Sequence, residues 1–247
     1  MIELQAASHA EERSKPVLNQ HNAQDRALWL PQVQRVFPLS FEISGEHRHP
    51  ARPAQPVGVV YQRHIPWLQQ TLSFRVADID AHLPHFHRWM NDPFVAEFWE
   101  EEGSLDYHRS YLERLGADPH SIPLIACLDE RPIGYFEVYW AKEDRISPFC
   151  DATDFDRGWH VLIGEADCRG KAFVSAWLPS ISHYLFLDDH RTHRLVIEPR
   201  SDNQRMRRNL QRSGYSLLGE FDFPHKRAVL GALPRQRFFD EQFWSPR

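Results

Sequence analysis

From Ile79 to Leu115 apolar residues recur at every third or fourth position, and from Pro123 to Gly164 at every second one. That switch of period limits the chain to a fold that lays helices on an antiparallel hairpin. Ile79, Leu83, Phe86 and Met90 predict an amphipathic helix capped by Asp78. Asn91-Asp92-Pro93 stops it and starts another, with Asp92 as N-cap, Pro93 in the first turn, and Val95, Phe98 and Trp99 behind it. A third helix follows Ser104 through Leu105, His108, Leu112 and Leu115. The runs PLIACL and IGYFEVYW, joined by the turn DERP, then predict a hairpin, and GWHVLIG at 158–164 a further strand. In that strand Trp159, Val161 and Ile163 share one face while His160 and Leu162 share the other. A helix to about Phe186, a strand in RLVIEP, a helix from about Asp202 to Ser213, strands near 215–222 and 227–233, and a closing helix in RQRFFDEQFW complete the reading. Upstream, Val36–Ile43, Val57–Arg63 and Leu72–Val76 read as strands, with GEHRHPARPAQP between the first two as a turn-rich linker. The fold class is α/β, with a mixed, mostly antiparallel central sheet flanked by helices, and not an alternating doubly wound sheet.

Residues 1–35 are polar and weakly periodic, which suggests an N-terminal extension over 1–46 and one domain over 47–247. A formal charge of −5 speaks against nucleic acid as a partner, because phosphate neutralisation calls for a basic surface. Cys127, Cys150 and Cys168 form no disulfide framework and suit a reducing compartment, so a cytoplasmic location is expected. No basic start followed by an apolar run marks a signal peptide, and no stretch is long enough to span a bilayer, so no membrane partner is expected. Fifteen histidines invite a metal reading, but His82 with His85, His87, and the pair His47 and His49 show no evident third ligand, so no metal is expected.

The chemistry concentrates where the strand ends at Gly164 and Asp167-Cys168-Arg169-Gly170-Lys171-Ala172 leads into a helix. A small-residue turn there exposes unpaired N–H groups at the positive end of the helix dipole, a ready site for a pyrophosphate to which Arg169 and Lys171 add charge. Further on, SDNQRMRRNLQRSGY places Asn203 near the start of a helix that ends at Gly214 before an aromatic strand. With these features the sequence resembles the GNAT acetyltransferase superfamily, whose loop [Gln/Arg]-x-x-Gly-x-[Gly/Ala] is matched by Gly170 and Ala172, with Asp167 in place of the first residue. The runs FHRWMNDPFVAEFW, PIGYFEVYWAKED, DRGWHVLIGE, EPRSDN and FPHKRAVL narrow the resemblance to its siderophore-biosynthesis branch, the hydroxylysine acetyltransferases of aerobactin type and the mycobactin lysine acyltransferase.

The resemblance implies acetyl-CoA or another acyl-CoA as co-substrate, and acylation of a small N-hydroxylated amine such as N6-hydroxylysine to a hydroxamate. It places catalysis on His160 and Asp202. Imidazole on the strand that meets the cofactor loop suits proton transfer near neutral pH, and Asp202 can orient it or cap the next helix. The hydroxylamine nitrogen attacks the thioester directly and His160 collects the proton. Val161, Leu162, Ile163 and Gly164 would hold the pantetheine arm; Arg169, Gly170, Lys171 and Ala172 the pyrophosphate; Asn203 and Arg205 the cofactor's far side. For the acceptor, Trp99, Tyr139, Trp140 and Glu143 offer aromatic walls and a carboxylate to a long amine with a cationic end. His225-Lys226-Arg227 either grips an acceptor carboxylate or simply opens a charged strand, and RFFDEQFW either packs on a second copy in a homodimer or closes the core. Two rival functions stay open: another GNAT enzyme acting on an aminoglycoside, polyamine or protein N-terminus, and a catalytically silent CoA-binding protein.

Overall fold

The computed structural model describes residues 39–245 of the chain. A small hairpin comes first, β1 (Phe41–Ser44) against β2 (His47–Pro50), turned at Gly45 with φ +61°. β2 lies inside the stretch read as linker. What makes it a strand is the glycine turn and a cross-strand contact, the Arg48 guanidinium 3.9 Å over the Phe41 ring, rather than an apolar alternation. Of the strand expected at Val36–Ile43, residues 36–38 lie outside the described residues, as does most of the 1–46 extension, and the boundary at 46/47 falls in this hairpin's turn.

The main sheet has eight strands: β3 (Val59–Ile65), β4 (Gln70–Val76), β5 (Ser121–Leu128), β6 (Arg131–Trp140), β7 (Arg157–Ile163), β8 (Arg194–Ile197), β9 (Ser216–Asp222) and β10 (Arg227–Pro234). Their order is β3-β4-β5-β6-β7-β8-β10-β9. Every neighbouring pair is antiparallel except β7 and β8, which run parallel and meet only at Arg157↔Leu195. The β5–β6 turn is tight because Asp129 and Glu130 both adopt positive φ, 45° and 69°.

The helices fall where the periodicity put them. In α1 (Ile79–Met90) the Asp78 side chain accepts from Ala81 N; in α2 (Pro93–Trp99) Asp92 accepts from Phe94 N; in α3 (Leu105–Ala117) Ser104 accepts from Tyr107 N. The short α4 (Ser147–Cys150) lies in the β6–β7 connection, α5 (Lys171–Asp188) follows β7, α6 (Gln204–Arg212) follows β8, and α7 (Arg235–Asp240) closes the chain. α5 is apolar nearly all round, and accordingly it is buried against one sheet face, where Trp177 and Ile181 pack with Trp159 of β7 and Phe136 of β6.

The opposite face carries two separate covers. Over its β5–β7 half, Leu83, Phe86 and Trp89 of α1 and Leu112 of α3 pack on Tyr135 and Leu162. Over its β8–β10–β9 half the 141–156 connection packs instead, with Ile146 and Cys150 buried against Val196, Phe221 and Leu230, and Phe149 stacked on Phe221. His160 stands between the two covers. The C-terminal aromatics are spent largely on the core: Phe238 and Phe243 are buried, while Trp244 stays partly exposed. Among the described residues no helix is long and apolar enough to cross a membrane.

Candidate active site

The β6–β7 register pairs Glu137 with His160, so both side chains rise from the same face of the sheet. Glu198 follows the last residue of β8 and reaches His160 from the other side. The imidazole is held between two carboxylates, Nδ1 at 3.1 Å from Glu137 Oε2 and Nε2 at 2.8 Å from Glu198 Oε1. Both acids are further satisfied: Tyr111 and Tyr135 hydroxyls donate to Glu137 Oε1 at 2.6 and 3.1 Å, and the Tyr139 hydroxyl to Glu198 Oε2 at 2.9 Å.

This surrounding fixes the charge state. Burial alone would push the imidazolium toward neutrality, but the Glu198 charge, the hydrogen bonds to both acids and the Glu137 charge outweigh it and raise His160 to about 10. Burial likewise opposes ionisation of Glu198 and Glu137, yet the His160 cation and its hydrogen bonds hold both below the usual carboxylate range. The two carboxylates thus favour the imidazolium form of His160.

The array forms the floor of a cavity of about 630 Å³ whose walls include Trp99, Tyr111, Glu143, Arg145, Met206 and Lys226. It lies where β7 and β8, joined at their first residues, have parted. Along β7, Val161 and Ile163 are half-buried beside this gap, whereas the Leu162 side chain is buried under the helices and offers only backbone. The Val161 carbonyl accepts from Trp99 Nε1 at 3.2 Å and the Ile163 carbonyl from Arg169 Nε at 2.9 Å.

At the end of β7, Gly164 is packed so tightly against the Trp89 indole that a Cβ there would overlap the ring. Gly170, at φ +129°, is the N-cap of α5, and Lys171 and Ala172 are exposed in its first turn, leaving N–H groups open to an anion. Arg169 does not join them. Its guanidinium turns back onto the Ile163 and Gly164 carbonyls and pairs with Asp92 at 2.6 Å, so it clamps the strand end to α2. Asp167 is engaged by Arg131 at 2.8 Å.

Three other expected residues stand elsewhere. Asp202 is exposed and paired with Arg200 at 2.9 Å; the α6 cap is Asn203, which accepts from Met206 N, and the orienting of His160 falls to Glu137 and Glu198. Arg205 points to solvent outside the cavity, while Asn203 lines it. Trp140 faces away, stacked between the guanidinium groups of Arg52 and Arg157 at 4.4 and 4.2 Å, because alternation along β6 sends it to the face opposite Tyr139. Of the acceptor set, Trp99 and Tyr139 flank His160, with ring centroids 6.4 and 4.9 Å from it. Glu143 lines the cavity, but a buried Arg52 takes both its oxygens, at 2.9 and 3.1 Å.

Glu137 and Glu198 were not singled out from the sequence, although each is the lone carboxylate in an apolar strand run, IGYFEVYW and RLVIEP. Among the described residues no group of three or more His, Cys, Asp or Glu stands close enough to hold a metal ion.

A family model described as acetyltransferase (GNAT) domain matches residues 78–223. The chain is 46% identical over 216 residues to the N(6)-hydroxylysine O-acetyltransferase of Escherichia coli, covering 87% of this chain and 69% of that protein. It is 46% identical over 195 residues to the N(5)-hydroxyornithine:cis-anhydromevalonyl coenzyme A-N(5)-transacylase of Beauveria bassiana, covering 77% of this chain and 43% of that one, so it spans less than half of the fungal protein. Among solved structures, an uncharacterized Bacillus halodurans protein superposes with a TM-score of 0.71 at 25% identity, over 76% of this chain and 95% of the other. The aminoglycoside acetyltransferase AAC(6')-Ib in complex with coenzyme A superposes with a TM-score of 0.63, also at 25% identity, over 69% of this chain and 99% of that one.

Proposed function

The chain belongs to the acetyltransferase (GNAT) family, and from that membership we propose that it is an acyl-CoA-dependent N-acyltransferase whose acceptor is an N-hydroxylated amine of hydroxylysine or hydroxyornithine type. The product is a hydroxamate, the bidentate iron-binding group of siderophores. The observation that carries this reading is the Glu137–His160–Glu198 array at the floor of an open cavity, where β7 leaves its neighbour and has a free edge to offer a thioester. Three unpaired, buried cysteines support a reducing, cytoplasmic setting.

The mechanism follows from charge. A hydroxylamine is far less basic than an alkylamine and is uncharged near neutral pH, so it attacks the thioester carbon without prior deprotonation. The carbonyl electrons move to oxygen, where a backbone N–H on the open side of β7 receives them. Attack forms the C–N bond; collapse of the adduct restores the C=O bond and breaks the C–S bond. The nitrogen proton passes to a carboxylate of the array, which, held well below the usual carboxylate range, hands it on to the departing thiolate to give free CoA. His160 stays an imidazolium throughout, and its positive charge steadies the adduct. We assign the cofactor contacts to the β7 edge from Val161 to Gly164, the Gly170–Ala172 turn and Asn203, with the exposed Arg205 placed to reach the phosphates.

The test is thiol release from acetyl-CoA with N6-hydroxylysine and with lysine, followed by ferric iron. Thiol release confined to the hydroxylated amine, with a coloured ferric complex, supports the reading. Transfer to oxygen instead gives thiol but no ferric colour. Acetyl-CoA binding with no thiol release from any amine moves the assignment to a silent CoA-binding protein.

A further inference from the structure

Two cations at the reacting centre have no adequate partner of their own. Arg145, from the β6–β7 connection, and Lys226, just before β10, each stand 3.5 Å from Glu198 Oε1. That oxygen already receives His160 at 2.8 Å, and 3.5 Å is the outer limit of a hydrogen bond. The Lys226 ammonium makes no other hydrogen bond or ion pair among the described residues, and the Arg145 guanidinium adds only His225 Nε2, also at 3.5 Å. Both groups stand over the Phe223 ring, at 5.4 and 5.5 Å, so they form one wall of the cavity.

The neighbouring acids do not make up the deficit. Glu143 is bound by Arg52, Glu100 pairs with Arg200, and Glu137 is balanced by His160. Asp144 is half-buried, and its Oδ1 accepts from Ile146 N rather than from either cation. Two cations thus share one carboxylate oxygen that His160 already occupies, and Lys226 is mostly withdrawn from water.

We propose that the missing anion is the α-carboxylate of the acceptor, and that Arg145 and Lys226 select an N-hydroxylated amino acid over the corresponding N-hydroxylated diamine. This rests on the acyltransferase reading above and narrows its substrate class. The reach is compatible: through the shared Glu198 Oε1 each cation lies at most about 6 Å from His160 Nε2, so a three- or four-methylene side chain is long enough to bridge the two. The cofactor's pyrophosphate is not the better candidate. Its turn begins beyond Gly164, four residues and about 13 Å along β7 from His160.

The experiment compares N6-hydroxylysine with N-hydroxycadaverine, which has the same chain with hydrogen in place of the carboxylate, in steady-state thiol release by the wild type, Arg145→Ala and Arg145→Lys. Arg145 is half exposed, so its truncation spares the core. The expected result is a kcat/KM at least ten-fold higher for hydroxylysine in the wild type, a gap that shrinks about ten-fold in Arg145→Ala and partly returns in Arg145→Lys. Equal kcat/KM for the two acceptors in the wild type, or an unchanged gap in Arg145→Ala, overturns the carboxylate clamp and leaves hydroxamate formation standing. No thiol release from either acceptor overturns both.

Discussion

His160 shows what a side chain's neighbours do to its chemistry. With two carboxylates raising it to about 10, His160 is better suited to stay protonated than to act as the base at neutral pH. We therefore expect kcat with a hydroxylamine acceptor to be flat between about pH 7 and 9; a rise of ten-fold per pH unit across that range would return the base role to a neutral His160. Replacing Glu198 by Gln should lower kcat by about 10²-fold, within the range for a lost proton-transfer group. The array also links stability to pH. Because folding raises His160 from 6.5 to about 10, its contribution is complete below about 6.5 and is lost as pH rises through 10. Glu137 and Glu198 are lowered from 4.5, so theirs is present above about 4.5 and is lost as pH falls through their depressed values. Thermal melts should show a plateau between about pH 4.5 and 6.5 with a decline on either side, and Glu198→Gln should flatten both shoulders. The face on which His160 stands was legible, since a strand's alternation is local. Its partners were not, because they arrive by strand register and by the end of a strand 38 residues later, which a linear pattern does not encode. Asp202 was named through the family resemblance alone; in the structure its carboxylate pairs with Arg200, two residues away.

At the scale of elements, capped helices and alternating strands were read well because their signals lie within a turn or two: Asp78 and Asp92 cap as expected, and Ser104 caps the helix expected to follow it. The segments that escaped have no period. β2 depends on a turn and a stacking contact, and the 141–156 connection, which walls the cavity, is held by isolated anchors such as Phe149 and Ile146. One further anchor is the Arg52–Glu143 pair, with side chains only 4% and 3% exposed. Arg52→Ala would strand a buried carboxylate and should cost about 3–5 kcal/mol in denaturant unfolding. Adding Glu143→Met should recover much of that loss, since it is the unpaired charge rather than the missing bond that destabilises. Loss of the same size in the double variant would show that packing around Arg52 dominates.

For the molecule as a whole, donor binding and folding are coupled by mass action. Acetyl-CoA at a hundred times its dissociation constant stabilises the folded state by about 2.7 kcal/mol, and for a protein of this size that is a rise in Tm of about 5–10 °C. Differential scanning fluorimetry with acetyl-CoA should show it, and Gly170→Ile, which forces a branched side chain into positive φ at the α5 cap, should diminish it. No shift at saturating acetyl-CoA would contradict the proposed cofactor site.

The single bridge between β7 and β8 has a consequence for what the enzyme tolerates. Two half-sheets fastened at one end, like the arms of a hairgrip, have no ladder of hydrogen bonds to break when the other end is spread. Ile197, Met206 and Leu210 line that opening, so a bulkier acyl group is expected to meet side chains there before any backbone pairing. Selectivity for the length of the transferred group can drift through those three positions while the backbone that performs the transfer stays as it is.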